Sequence, residues 1–106
     1  MTKFLIKASY SSEGHKGILK HGATRRKEAV EKMITDLGGK MEAFYYAFGE
    51  TDVFAIGEVP DTTILVAISL HLNATGLVNV SVTILLTPEE IDEATTVSVN
   101  YRAPGS

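Results

Sequence analysis

Between Leu77 and Leu86 the sequence alternates with a period of two: Val78, Val80, Val82 and Ile84 fall on one side, and Asn79, Ser81, Thr83 and Leu85 on the other. Successive side chains of a strand leave opposite faces, so this pattern predicts a strand with one buried and one mainly polar face. The rest of the chain must supply a cover for those valines. Residues 3–10, KFLIKASY, alternate in the same way, with Phe4, Ile6, Ala8 and Tyr10 opposed to Leu5, Lys7 and Ser9. Residues 40–48 and 52–59 are rich in aromatic and β-branched side chains and flank Gly49-Glu50-Thr51, which predicts an antiparallel hairpin. Alternation in its first arm puts Met41, Ala43 and Tyr45 on one face and Phe44, Tyr46 and Phe48 on the other.

Two segments have helical spacing instead. Over residues 24–37, Ala29, Val30, Met33, Ile34 and Leu37 form a stripe, with Thr24 as N-cap and Gly38-Gly39 as the stop. Asp61 caps a second helix over 62–75, ended by Gly76. Its apolar arc, Ile64 to Ala74, is wide enough to predict burial beyond one sheet, and His71 within it reads as a core histidine. Thr87-Pro88-Glu89-Glu90 carries the capping box of a short C-terminal helix. Residues 11–17 are polar and contain two glycines, which predicts a loop or a short turn of helix, and Gly22 marks another break. Residues 97–106 read as an extended tail, either loosely held or an arm toward a neighbouring subunit.

A chain of 106 residues is one domain, spanning 1–106. The order is βαββαβ, which predicts a ferredoxin-like α+β fold: a four-stranded antiparallel sheet, order 4-1-3-2, with two helices on one face. The other face then carries Leu5, Lys7, Ser9, Asn79, Ser81, Thr83 and Leu85, with one set of hairpin side chains. A bare sheet that is part polar and part aromatic is an association surface. The expectation is therefore a homo-oligomer, a dimer through the sheet face or higher, that encloses a pocket.

With no cysteine, disulfides, thiolate metal sites and cysteine nucleophiles are excluded. The net charge of -3, from 10 basic and 13 acidic residues, offers no general attraction to nucleic acid. The apolar run at the N-terminus is too short for a signal peptide or membrane span, so a cytoplasmic location is expected, with no membrane or nucleic-acid partner. Nothing in the spacing of His15, His21 and His71 is that of a metal motif, and no metal or cofactor is expected.

Lys7 is the most informative candidate, because alternation puts it on the open face, where it can bind an acidic ligand or act as a base in a covered pocket, form an interface ion pair or snorkel to water. Ser9, Asn79, Ser81 and Thr83 would be its polar neighbours. Asp52 begins a strand after a turn and either fixes that turn by accepting backbone N–H groups or, with Glu50, makes a paired-carboxylate or hard-metal site; it is also among the ligand-binding candidates. Lys16, Lys20, Arg25 and Arg26 gather near the first helix as an anion-binding candidate, the alternative being a solvated basic face.

Phe48-Gly49-Glu50-Thr51-Asp52-Val53, Leu37-Gly38-Gly39-Lys40, Ala43-Phe44-Tyr45, Val59-Pro60-Asp61, Leu86-Thr87-Pro88-Glu89-Glu90 and the closing Tyr101-Arg102-Ala103-Pro104-Gly105 together resemble the GYD-domain family, whose signature is Gly-x-Tyr-Asp. Gly49 and Asp52 match it, and Thr51 stands at the signature tyrosine, so no tyrosine role is carried over. The resemblance implies a dimeric α/β-barrel type of fold and no assigned reaction. The function expected is that of a small homo-oligomeric binding or accessory domain holding a small acidic ligand. The alternative is a cofactor-independent enzyme of the monooxygenase or isomerase kind, an analogy from fold.

Overall fold

The computed structural model describes residues 1–105, in the order β1 (Thr2–Tyr10), α1 (Ser12–His21), α2 (Ala23–Asp36), β2 (Lys40–Tyr46), β3 (Val53–Val59), α3 (Thr62–Ala74), β4 (Val78–Leu85) and α4 (Pro88–Ala94). The strands form one open antiparallel sheet in the order β2-β3-β1-β4, which counted from the other edge is 4-1-3-2. β1 is central, paired with β3 from Thr2↔Val59 to Ala8↔Val53 and with β4 from Lys3↔Leu85 to Tyr10↔Val78.

Alternation decides the core. Phe4, Ile6 and Ala8 of β1, Val53, Ala55 and Val59 of β3, and Val78 and Val80 of β4 are buried in one cluster with Ile34 of α2 and with Leu65 and Ile68 of α3. The period-two apolar positions thus meet the helical stripes on one side of the sheet. Local chemistry sets the helix ends as their sequences require. Asp61 accepts the Ile64 N–H at 3.1 Å, and Thr87 and Glu90 form the reciprocal capping box. Gly38 takes φ 84° after α2, and the Gly39 N–H donates to the Ile34 carbonyl at 2.9 Å.

Several expectations are corrected. Residues 12–21 are a full helix of ten residues, more than the loop or short turn of helix expected over 11–17: the Ser11 hydroxyl accepts the Gly14 N–H at 3.2 Å. Ser11 also donates to the Leu77 carbonyl from both its N–H, at 2.9 Å, and its hydroxyl, at 3.1 Å. Gly14 is required there, since a Cβ would run into the Leu77 carbonyl. Thr24 does not cap α2, which begins at Ala23 directly after Gly22, whose φ of 86° ends α1.

The faces of β2 also differ from simple alternation, because the β2-β3 register shifts between Met41 and Ala43. The extra residue at this bulge puts Met41, Phe44 and Tyr46 opposite the buried Gly57, Ala55 and Val53, and leaves Ala43 and Tyr45 on the open face beside Ile56 and Phe54. His71 is exposed rather than core, because α3 buries Leu65 and Ile68 while Val66 and Leu70 turn outward.

Asn73 ties the end of α3 to the edge strand β4. Its carbonyl accepts the Val80 N–H at 2.7 Å and its amide donates to the Val80 carbonyl at 3.1 Å, satisfying both outward backbone groups of that edge residue. Beyond β4 the chain leaves the body. Residues 86–105 are all exposed, with Leu86, Ile91, Val97, Val99 and Tyr101 among them. The radius of gyration is accordingly 17.0 Å, against about 13 Å for a compact chain of this length. Among the described residues no helix is long and apolar enough to cross a membrane.

Candidate functional site

The open face of the sheet is built in cross-strand rows. Tyr45, Phe54, Lys7 and Ser81 make one row; Ala43, Ile56, Leu5 and Thr83 make the next, and Ser9 pairs with Asn79 beyond Lys7. Lys7, Ser9, Asn79, Ser81 and Thr83 therefore do share one surface, with an apolar flank from β2 and β3. Two lysines on this surface differ in their company. Lys3 reaches Glu42 at 3.1 Å and Glu58 at 3.7 Å, and the hydrogen bond to Glu42, aided by the charges of both glutamates, holds its pKa above the usual lysine range. Lys7 is exposed and, among the described residues, has no hydrogen bond or ion pair.

Asp52 serves the turn. Its N–H donates to the Ala8 carbonyl at 2.9 Å, its carbonyl accepts the Ala47 N–H at 2.9 Å, and its Oδ2 accepts the Tyr10 N–H at 2.8 Å. The Ser9 hydroxyl donates to the Glu50 carbonyl at 2.9 Å, adding a second tie between hairpin and β1. His15 completes the joint: Nε2 lies 3.6 Å from Asp52 Oδ2, Nδ1 lies 3.0 Å from the Ser11 carbonyl, and its ring meets that of Tyr10 edge-on. These bonds place Asp52 at the joint of three elements.

On the helix side lies a cleft of about 470 Å³ between α1, the first turn of α2, the end of α3 and the start of β4. Ile18, Leu72, Leu77 and Val78 form its apolar wall, and Arg25 and Arg26 stand over it together with Tyr10. Of the basic cluster seen in the sequence, Arg25 and Arg26 line this cleft and Lys16 and Lys20 do not; Lys16 pairs with Glu13 at 3.0 Å. The apolar wall was invisible in the sequence, since its residues come from separate elements far apart along the chain. Ser9 and Asn79 also border a shallower groove of about 540 Å³ with Asn73 and Gly76.

Beside the cleft, the Tyr46 hydroxyl donates to the Ala23 carbonyl at 3.0 Å. Partial burial of this group, reinforced by the neighbouring Tyr10 phenol and opposed by Arg26, pushes its pKa up to about 12. A phenol whose folded pKa lies above its unfolded value stabilises the fold below that unfolded value, near 10, and loses the contribution as pH rises toward about 12. A tyrosinate absorbance titration is expected to show one late-ionising tyrosine, and Tyr46→Phe is expected to remove that step. A wild-type curve in which all tyrosines ionise together contradicts the assignment.

Among the described residues no group of three His, Asp or Glu side chains is placed to hold a metal ion. No curated protein and no solved structure matches this chain. The model of the GYD domain matches residues 4–95, which takes in all of the sheet but Thr2 and Lys3, the joint at Asp52 and the cleft, and the chain therefore belongs to the GYD-domain family.

Proposed function

We propose that this chain is a cytosolic homo-oligomeric binding domain in which two copies cover each other's open sheet faces and hold a small acidic ligand at Lys7. The observation that carries the reading is the contrast of the two lysines: Lys3 is engaged by two carboxylates, whereas Lys7 presents an unpaired ammonium beside Phe54 and Ser81. Covering that face would bury Leu5, Phe54, Ile56 and Tyr45 and turn an exposed charge into an enclosed one that needs an anion. Ser9, Ser81, Thr83 and Asn79 would supply hydroxyl and amide partners, with Asp52 holding the adjacent turn. The exposed arm after β4, with Val97, Val99 and Tyr101, is a second surface suited to a neighbouring copy. With α1 taken as an insertion, the order β1-α2-β2-β3-α3-β4 is the ferredoxin-like sequence of elements, which supports this mode of pairing.

The enzymatic alternative would aim Lys7, a histidine or Asp52 into a closed pocket as a base. Both ring nitrogens of His15 and the Asp52 carboxylate face structural partners, which favours binding over turnover. Light scattering on the eluting protein tests the assembly: a mass above that of one chain is expected, and Phe54→Glu should yield monomer. Amide shifts on titration with malonate test the site, with changes expected at residues 7, 81 and 83 that vanish in Lys7→Ala at unchanged mass. A monomeric wild type, or malonate shifts indifferent to Lys7→Ala, overturns the reading.

A further inference from the structure

We propose that the cleft beneath α1 is a second binding site, distinct from the open sheet face, for a small amphiphilic monocarboxylate. Its volume of about 470 Å³ lies within the range of small-molecule sites, roughly 300–1,000 Å³. The wall of Ile18, Leu72, Leu77 and Val78 suits an apolar body, and such a wall attracts nothing charged by itself. Charge enters at one side, where Arg25 and Arg26 stand without salt-bridge partners among the described residues. Glu13 also borders the cleft, but its carboxylate is paired with Lys16 at 3.0 Å. The unbalanced charge is that of two guanidinium groups, whose planar forks match a carboxylate. An apolar wall facing two unpaired guanidiniums is the complement of a molecule with a hydrocarbon body and one acidic end.

Gly17 supplies a clean test. It lines the cleft from within α1, and a Cβ built there meets nothing within 4 Å, so a larger side chain is accommodated there without a clash. Leucine at this position would occupy the cleft and is the better helix former, so the variant keeps its fold. The probes are 4-phenylbutyrate and its neutral twin 4-phenylbutan-1-ol, titrated into the full chain by calorimetry.

The acid is expected to bind once per chain with a Kd of roughly 0.1 mM, and the alcohol about tenfold more weakly. Arg25→Gln with Arg26→Gln should erase that difference, Gly17→Ala should weaken both probes, and Gly17→Leu should abolish both. Lys7→Ala should leave both affinities unchanged, which separates this site from the one proposed on the sheet face. Equal binding of acid and alcohol to the wild type, or binding that survives Gly17→Leu, overturns the proposal. So does an absence of binding combined with a changed assembly mass in Gly17→Leu, the result expected if a neighbouring copy fills the cleft.

Discussion

Gly57→Ala is expected to destabilise the chain by about 3 kcal/mol, at the upper end of what overpacking costs. Gly57 is buried in β3 directly opposite Phe4, and a Cβ there would lie 2.8 Å from the far end of the Phe4 ring and run into the Lys40 carbonyl of β2. The ring has no room to retreat, because Phe4 is fully buried, and the carbonyl is backbone held in the β2-β3 ladder beside the bulge. Thermal unfolding followed by circular dichroism should show a fall in Tm of about 12–24 °C. Combining the change with Phe4→Leu relieves the ring contact and leaves the carbonyl contact, so less than half the loss should return. An unchanged Tm in Gly57→Ala would refute the packing described for this strand.

Ile34→Ala should cost about 3–4 kcal/mol, the range for a large aliphatic side chain whose cavity cannot collapse. Ile34 is the one fully buried side chain of α2, and its Cγ2 closes against Gly39 where the chain turns into β2. The helix has half-buried Val30 and Met33 beside it but no second anchor of equal depth. Denaturant unfolding should therefore show a lower midpoint with an unchanged slope. Arg25 and Arg26 ride on the same helix, so a loosened α2 should also weaken any anion bound in the cleft.

What was legible in the sequence was what local chemistry decides. The valines of β4, the alternation of β1, the Asp61 cap and the Thr87-Glu90 box each act through neighbours a few residues away, and each appears where the sequence puts it. Features set by distant contacts were not legible. α1 contains two glycines and no buried residue, and its start is pinned by the Leu77 carbonyl. One bulged residue reassigns the faces of β2, and nothing in the pattern of aromatic residues announces it. His71 lies in an apolar run that outlasts what one helix face can bury, and so it is exposed. The candidate site divides in the same way. Lys7 and its neighbours follow from alternation alone, whereas the cleft needs four elements in contact before its wall exists.

The central place of β1 bears on how the chain is made. Its first strand to be synthesised is the one that pairs on both sides, with Lys3 against Glu58 of β3 and Leu85 of β4. Neither edge of that strand can be satisfied until a distant partner has left the ribosome, and the second partner arrives only with residues 78–85. Long loops must close before those pairings form, which places such a sheet among the slower-folding topologies. The nascent chain therefore carries an incompletely paired strand with Phe4, Ile6 and Ala8 until residues 78–85 have emerged, a period when chaperones can engage it and when aggregation competes with folding.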